Sequence, residues 1–105
     1  MIAELRRICL ALPEAEERET WQTPNFRVRG KIFCMALPNP PAAWVKAPRG
    51  SQELLIEADP TRFFRPPYLG HKGWVGMRLD NRPDWAEVEA LVRRSFSMIA
   101  PRSIR

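Results

Sequence analysis

Apolar and polar positions set out the elements before any chemistry is considered. From residue 2 to 12, Ile2, Leu5, Ile8, Cys9 and Leu12 recur at helical spacing, with Glu4, Arg6 and Arg7 on the other side. Pro13 marks the stop. The acidic run over residues 14–19, EAEERE, has no apolar periodicity and reads as a solvated connector or a short extra turn. The period changes after Trp21. Phe26-Arg27-Val28-Arg29 alternates apolar and basic side chains, which predicts a half-buried strand. Arg29-Gly30 is the natural turn, and Lys31 to Leu37 returns as the second strand of a hairpin.

Further along, Pro38-Asn39-Pro40-Pro41 forms a stiff loop with few backbone donors, followed by a third strand at Ala43–Ala47. A helix is predicted from Ser51 to about Ala58. Ser51 serves as N-cap, Leu54, Leu55 and Ala58 form the apolar stripe, and Asp59-Pro60 ends it. The stretch RFFRPPYLGHKGWVGMRL, residues 62–79, is the most distinctive of the chain. Pro66 and Pro67 fix their own φ and push Arg65 away from helix, so the elbow after Phe63 and Phe64 runs extended. Gly70 and Gly73 bracket His71 and Lys72 in a short reversal that turns the two central side chains outward. Trp74–Leu79 reads as a strand. Asp84 and Glu87 make a capping-box-like start to the last helix, whose buried face is Trp85, Val88, Leu91, Val92, Ser95 and Ile99, with Phe96 beside them and Arg93 and Arg94 turned away. Pro101 stops it. The order helix, three strands, helix, strand, helix predicts an α+β fold: one domain over residues 1–105, an antiparallel sheet with helices on one face.

Composition changes this picture little, but charge changes it more. The 105 residues are 45% hydrophobic and 28% charged, ordinary for a globular domain, and the net charge of +5 makes polyanions the first partners to consider. The charge is uneven. No Asp or Glu falls between Glu19 and Glu53, while Arg27, Arg29, Lys31, Lys46 and Arg49 all do; residues 1–20 carry three Arg against five Glu. Arg27 and Arg29 are predicted to share a strand face, with Lys31 across the turn. A wet outer sheet face is the competing explanation of the same pattern.

Catalytic and metal signals are sparse. Cys9 and Cys34 lack the CxxC spacing of zinc or redox sites and read as small buried residues. A Cys34–His71 or Cys9–His71 nucleophile pair would require a thiolate, which the apolar runs around both cysteines disfavour. His71, the single histidine, reads as a hydrogen-bonded loop residue. Glu14, Glu16, Glu17 and Glu19 are the one acidic cluster. No phosphate-binding glycine loop, paired-carboxylate pattern, helix-turn-helix or zinc finger is present, so no enzyme, metal or cofactor is expected. The amphipathic start, MIAELRRICLALPE, is too short for a membrane span, and a cytoplasmic protein, monomeric or weakly dimeric, is expected.

ALPEAEE, TPNFRVRGKIF, WVKAPRGSQELL, DPTRFFRPPYLGHKGWVGMRLD and DWAEVEALVRRSF together resemble the MmcQ/YjbR family of small bacterial proteins over nearly the whole chain. The resemblance implies a frataxin-like (CyaY-like) fold, described for the family as a double-wing DNA-binding motif. The short, proline-rich Pro38–Pro41 stretch departs from the longer hairpins expected of relatives and implies a trimmed wing. For nucleic acid, Arg27, Arg29, Lys31, Lys46 and Arg49 would form a phosphate track, extended by Arg62, Arg65 and Lys72, with His71 adding a hydrogen bond. Aromatic rings can also stack on exposed bases, but Phe63, Phe64, Tyr68 and Trp74 are expected mostly in the core or under the elbow, ahead of a role as stacking platforms. The alternative is a protein-interaction or small-anion-binding module without catalysis.

Overall fold

The computed structural model describes residues 2–104. Its elements are α1 (Ile2–Leu10), β1 (Glu16–Thr20), β2 (Thr23–Val28), β3 (Lys31–Pro38), β4 (Pro41–Val45), α2 (Ser51–Ala58), β5 (Phe63–Phe64), β6 (Val75–Arg78) and α3 (Trp85–Ile99), with turns of 3-10 helix at Gly70–Lys72 and Arg102–Ile104. The strands form one antiparallel sheet in the order β1-β2-β3-β4-β6-β5. The α+β expectation holds, with two strands more than the sequence pattern predicts.

The first addition is β1. The acidic run is a strand and not a connector, paired along β2 from Glu16 opposite Arg27 to Thr20 opposite Thr23. All five of its residues are exposed, so it lacks the half-buried alternation by which strands are recognised. Backbone pairing and a nonlocal ion pair hold it: Arg6 of α1 grips Glu17 through two hydrogen bonds of 2.7 and 3.0 Å. The second addition is β5, where two residues of the elbow pair with Met77 and Gly76.

One sheet face carries the core. Cross-strand rows Phe26, Cys34, Val45, Val75 and Ala36, Ala43, Met77, Phe63 are buried beneath α1 and α3, which pack on each other and on β3. Pairing shifts between Phe26 and Arg27, leaving Phe33 unmatched, so Phe33 and its neighbour Cys34 are both buried. Phe33 meets Phe96 of α3 edge to face, with centroids 5.3 Å apart. Ser95, fully buried in the α3 stripe, donates to Phe33 O at 2.6 Å and accepts from Lys46 N at 3.0 Å. One hydroxyl thus pins the end of β4 to the helix layer.

Three local expectations need correction. The N-cap of α2 is Gly50, in a left-handed conformation, and no side chain caps the helix. Of its stripe of Leu54, Leu55 and Ala58 only Leu55 packs against the core, half-buried and joined by Ile56; Leu54 is 69% exposed, Ala58 is exposed, and the fully buried residue is Gln52. On α3, Arg93 is turned to the surface as expected, where it pairs with Glu89, whereas Arg94 is half-buried, its Nε and Nη2 enclosed without a hydrogen-bond partner among the described residues. The Asp84 cap is as predicted, accepting from Glu87 N at 3.2 Å.

Candidate cationic cleft

Gln52 is the hinge pin of the site. Its Nε2 donates to Gly70 O at 2.8 Å and Trp74 O at 2.6 Å, tying the first turn of α2 to the Gly70–Lys72 reversal. Both carbonyls belong to a chain that must curve sharply, and Gly73, with φ 85, supplies the positive φ of that curve. Gln52 Oε1 lies 3.5 Å from Nη1 of Arg65, whose side chain crosses Gly70. A Cβ built at Gly70 would come within 2.9 Å of Arg65 Nε and nearer still to its Cγ. The glycine therefore does more than turn the chain; it leaves room for the arginine.

Between the end of β4, α2 and this turn lies a cleft of about 430 Å³. Lys46, Arg49, Arg65, His71 and Lys72 line it, with Glu53 as the acidic wall. Lys46, Arg49, Arg65 and Lys72 form no ion pair among the described residues. Four cations against the one carboxylate of Glu53 leave a net positive potential that an anion relieves. Lys31 stands beside the cleft, sharing with Lys46 an adjoining hollow of about 270 Å³.

The remaining sequence candidates lie elsewhere. Arg29 sits in the turn, with φ 51, and forms a forked pair with Glu14 at 2.7 and 3.1 Å; it does not share a strand face with Arg27. Arg27 donates to Asn25 Oδ1 at 2.8 Å and to Thr20 Oγ1 at 3.4 Å, bracing the β1–β2 hairpin. Arg62 pairs with Asp59 and Glu87 and lies over Phe63. The phosphate track expected from the sequence is thus divided: five residues converge, one adjoins, and three are held by other partners.

Glu14, Glu16 and Glu17 of the acidic cluster are likewise engaged. Arg29 holds the Glu14 carboxyl below its ordinary range through direct hydrogen bonds, and Arg6 does the same for Glu17. Glu16 faces Arg18 at 3.5 Å. Cys9 is buried against Cys34; a hydrogen bond with that second sulfur, followed by burial, pushes the Cys9 thiol up, away from the thiolate. His71 is exposed on the cleft, whereas both cysteines are buried in the core.

Two aromatic residues depart from the usual burial. Phe63 and Trp74 are buried as expected and Phe64 is half-buried, but Tyr68 is 87% exposed with φ 68. Trp21, at the tip of the β1–β2 hairpin, is 93% exposed with φ 55. No periodicity singles out either one. The nearest sequence signal is that neither falls in an alternating or helical apolar pattern.

The sequence model of the YjbR family matches residues 10–98. None of the curated proteins matches the chain. Among solved structures, the Deinococcus radiodurans protein DR2400, which carries a DUF419 domain, superposes with a TM-score of 0.86 at 21% identity, over 100% of this chain and 82% of the other. That likeness is one of fold.

Proposed function

The chain belongs to the YjbR family, and from that premise and the cleft we propose that it binds nucleic acid through non-specific phosphate contacts and catalyses no reaction. The observation that carries the reading is the convergence of Lys46, Arg49, Arg65 and Lys72 on one cleft beside the single carboxylate of Glu53, with none of the four in an ion pair among the described residues. Phosphates neutralised there release counterions, which gives affinity without reading base edges. The cleft fits this use because its walls are fixed: Ser95 anchors the backbone at Lys46, and Gln52 fixes the turn that carries His71 and Lys72. A backbone already fixed leaves less freedom to lose on binding than a mobile one. In this reading the phosphate track runs through the cleft and Lys31, and not through Arg27 and Arg29.

Fluorescence-anisotropy titration of labelled DNA at two salt concentrations tests the proposal. Arg49→Glu is expected to weaken binding and lower the salt slope by about one to two ions, since each phosphate contact contributes close to one. Arg18→Glu, which makes the same charge change on exposed β1, is expected to do much less. Equal losses in the two variants would point to net charge alone and overturn the assignment of the cleft.

A further inference from the structure

Tyr68 stands two residues before Gly70, on the turn that forms one wall of the cleft, with Arg65 three positions earlier and Lys72 four positions later. Its side chain is almost wholly exposed, and no hydrogen bond to its hydroxyl exists among the described residues. Aromatic rings supply much of the buried area of a small domain, so a ring left in water contributes nothing to the core. Its backbone, at φ 68, lies in the left-handed region that bulky L-residues avoid. The support is nonetheless stiff. Pro66 and Pro67 precede it, Leu69 N donates to Pro67 O at 2.7 Å, and Gly70 N donates to Pro66 O at 2.9 Å, closing the turn around Tyr68.

An exposed ring on a rigid turn, in the same chain segment as the cleft residues Arg65 and Lys72, combines the two parts of a single-strand site: a positive groove for the backbone and an aromatic face for a base. Duplex bases present their faces to one another and leave none for a ring. We propose that Tyr68 is a base-stacking residue and that the protein therefore favours single-stranded over double-stranded nucleic acid. This inference rests on reading the cleft as a phosphate site. A stacked base retains its π-face contact whatever its identity, so the preference is for strandedness and not for sequence.

The test compares wild type, Tyr68→Ala, Tyr68→Phe and Arg49→Glu, each titrated with a labelled oligothymidylate and a labelled duplex. Tyr68→Ala is expected to lower single-strand affinity at least about fivefold while leaving duplex affinity unchanged, and Tyr68→Phe to retain both. Thermal unfolding of Tyr68→Ala controls for the fold; a ring that buries nothing is expected to leave the midpoint essentially unmoved. Unchanged single-strand affinity in Tyr68→Ala, or an equal loss on both probes, would overturn the stacking role while a loss in Arg49→Glu left the phosphate reading standing. Absence of salt-dependent binding by wild type to either probe would overturn both.

Discussion

The side chain of Arg65 occupies the space in which a Cβ on Gly70 would lie. Gly70→Ala therefore forces the arginine off its path, because the new methyl would meet Nε within 2.9 Å. The displaced group is a flexible side chain, so the fold is expected to tolerate the change at a cost of about 1 kcal/mol. Anion affinity is expected to fall more than stability does. A titration beside a denaturation curve separates the two, and a variant with intact affinity would show that Arg65 contributes nothing from this position.

Gln52→Leu removes both amide donations from a buried residue and leaves the carbonyls of Gly70 and Trp74 without them. Gly70 O still accepts from Gly73 N at 3.0 Å, so Trp74 O is the acceptor left stranded. A stranded buried acceptor costs on the order of 1–3 kcal/mol, and a loss of that size is expected in urea unfolding. A loss below about 1 kcal/mol would mean that the turn finds other partners.

Arg94 presents the opposite case. Its Nε and Nη2 are enclosed without partners among the described residues, and burial pushes its pKa down. Methionine keeps much of the stem's packing and removes the stranded donors. Arg94→Met is expected to raise stability by about 1 kcal/mol, whereas Arg94→Ala, which also loses the stem, is expected to gain less or nothing. Thermal midpoints of the two variants check the order.

Acid should loosen the sheet edge first. Glu14 and Glu17 are held below the ordinary carboxylate value by Arg29 and Arg6, so their contribution to stability is complete above about pH 4.3 and is lost as pH falls through the lower folded values. Both groups are exposed, which keeps the effect small. Urea midpoints taken between about pH 5 and pH 2 should decline less steeply for Glu14→Gln/Glu17→Gln than for wild type.

Much of the framework is legible in the sequence because its signals are local. The α1 stripe of Leu5, Ile8 and Cys9 and the Asp84 cap of α3 are found where periodicity and capping place them. β1 was hidden because an exposed edge strand carries no alternation, and its strongest anchor, Arg6, lies 11 residues from Glu17. α2 misleads for a related reason: its buried side chain is polar, and its partners lie 18 and 22 residues further on. The site follows the same rule. Basic residues are visible in the sequence, but whether each is free depends on nonlocal carboxylates. Arg29 is taken by Glu14, 15 positions away, and Arg62 by Glu87, while Lys46 and Arg49 have no such partner among the described residues.

The two borders of the sheet have a consequence for how copies of the chain meet. An open strand border offers its unpaired amides and carbonyls to any similar strand, the usual beginning of edge-to-edge polymerisation. Here one border is β1, five exposed residues of which four are charged, and the other is β5, only two residues long. The first repels an identical neighbour by its glutamates, and the second is too short to hold one. A chain so finished at both sides can be concentrated without its sheets growing into one another.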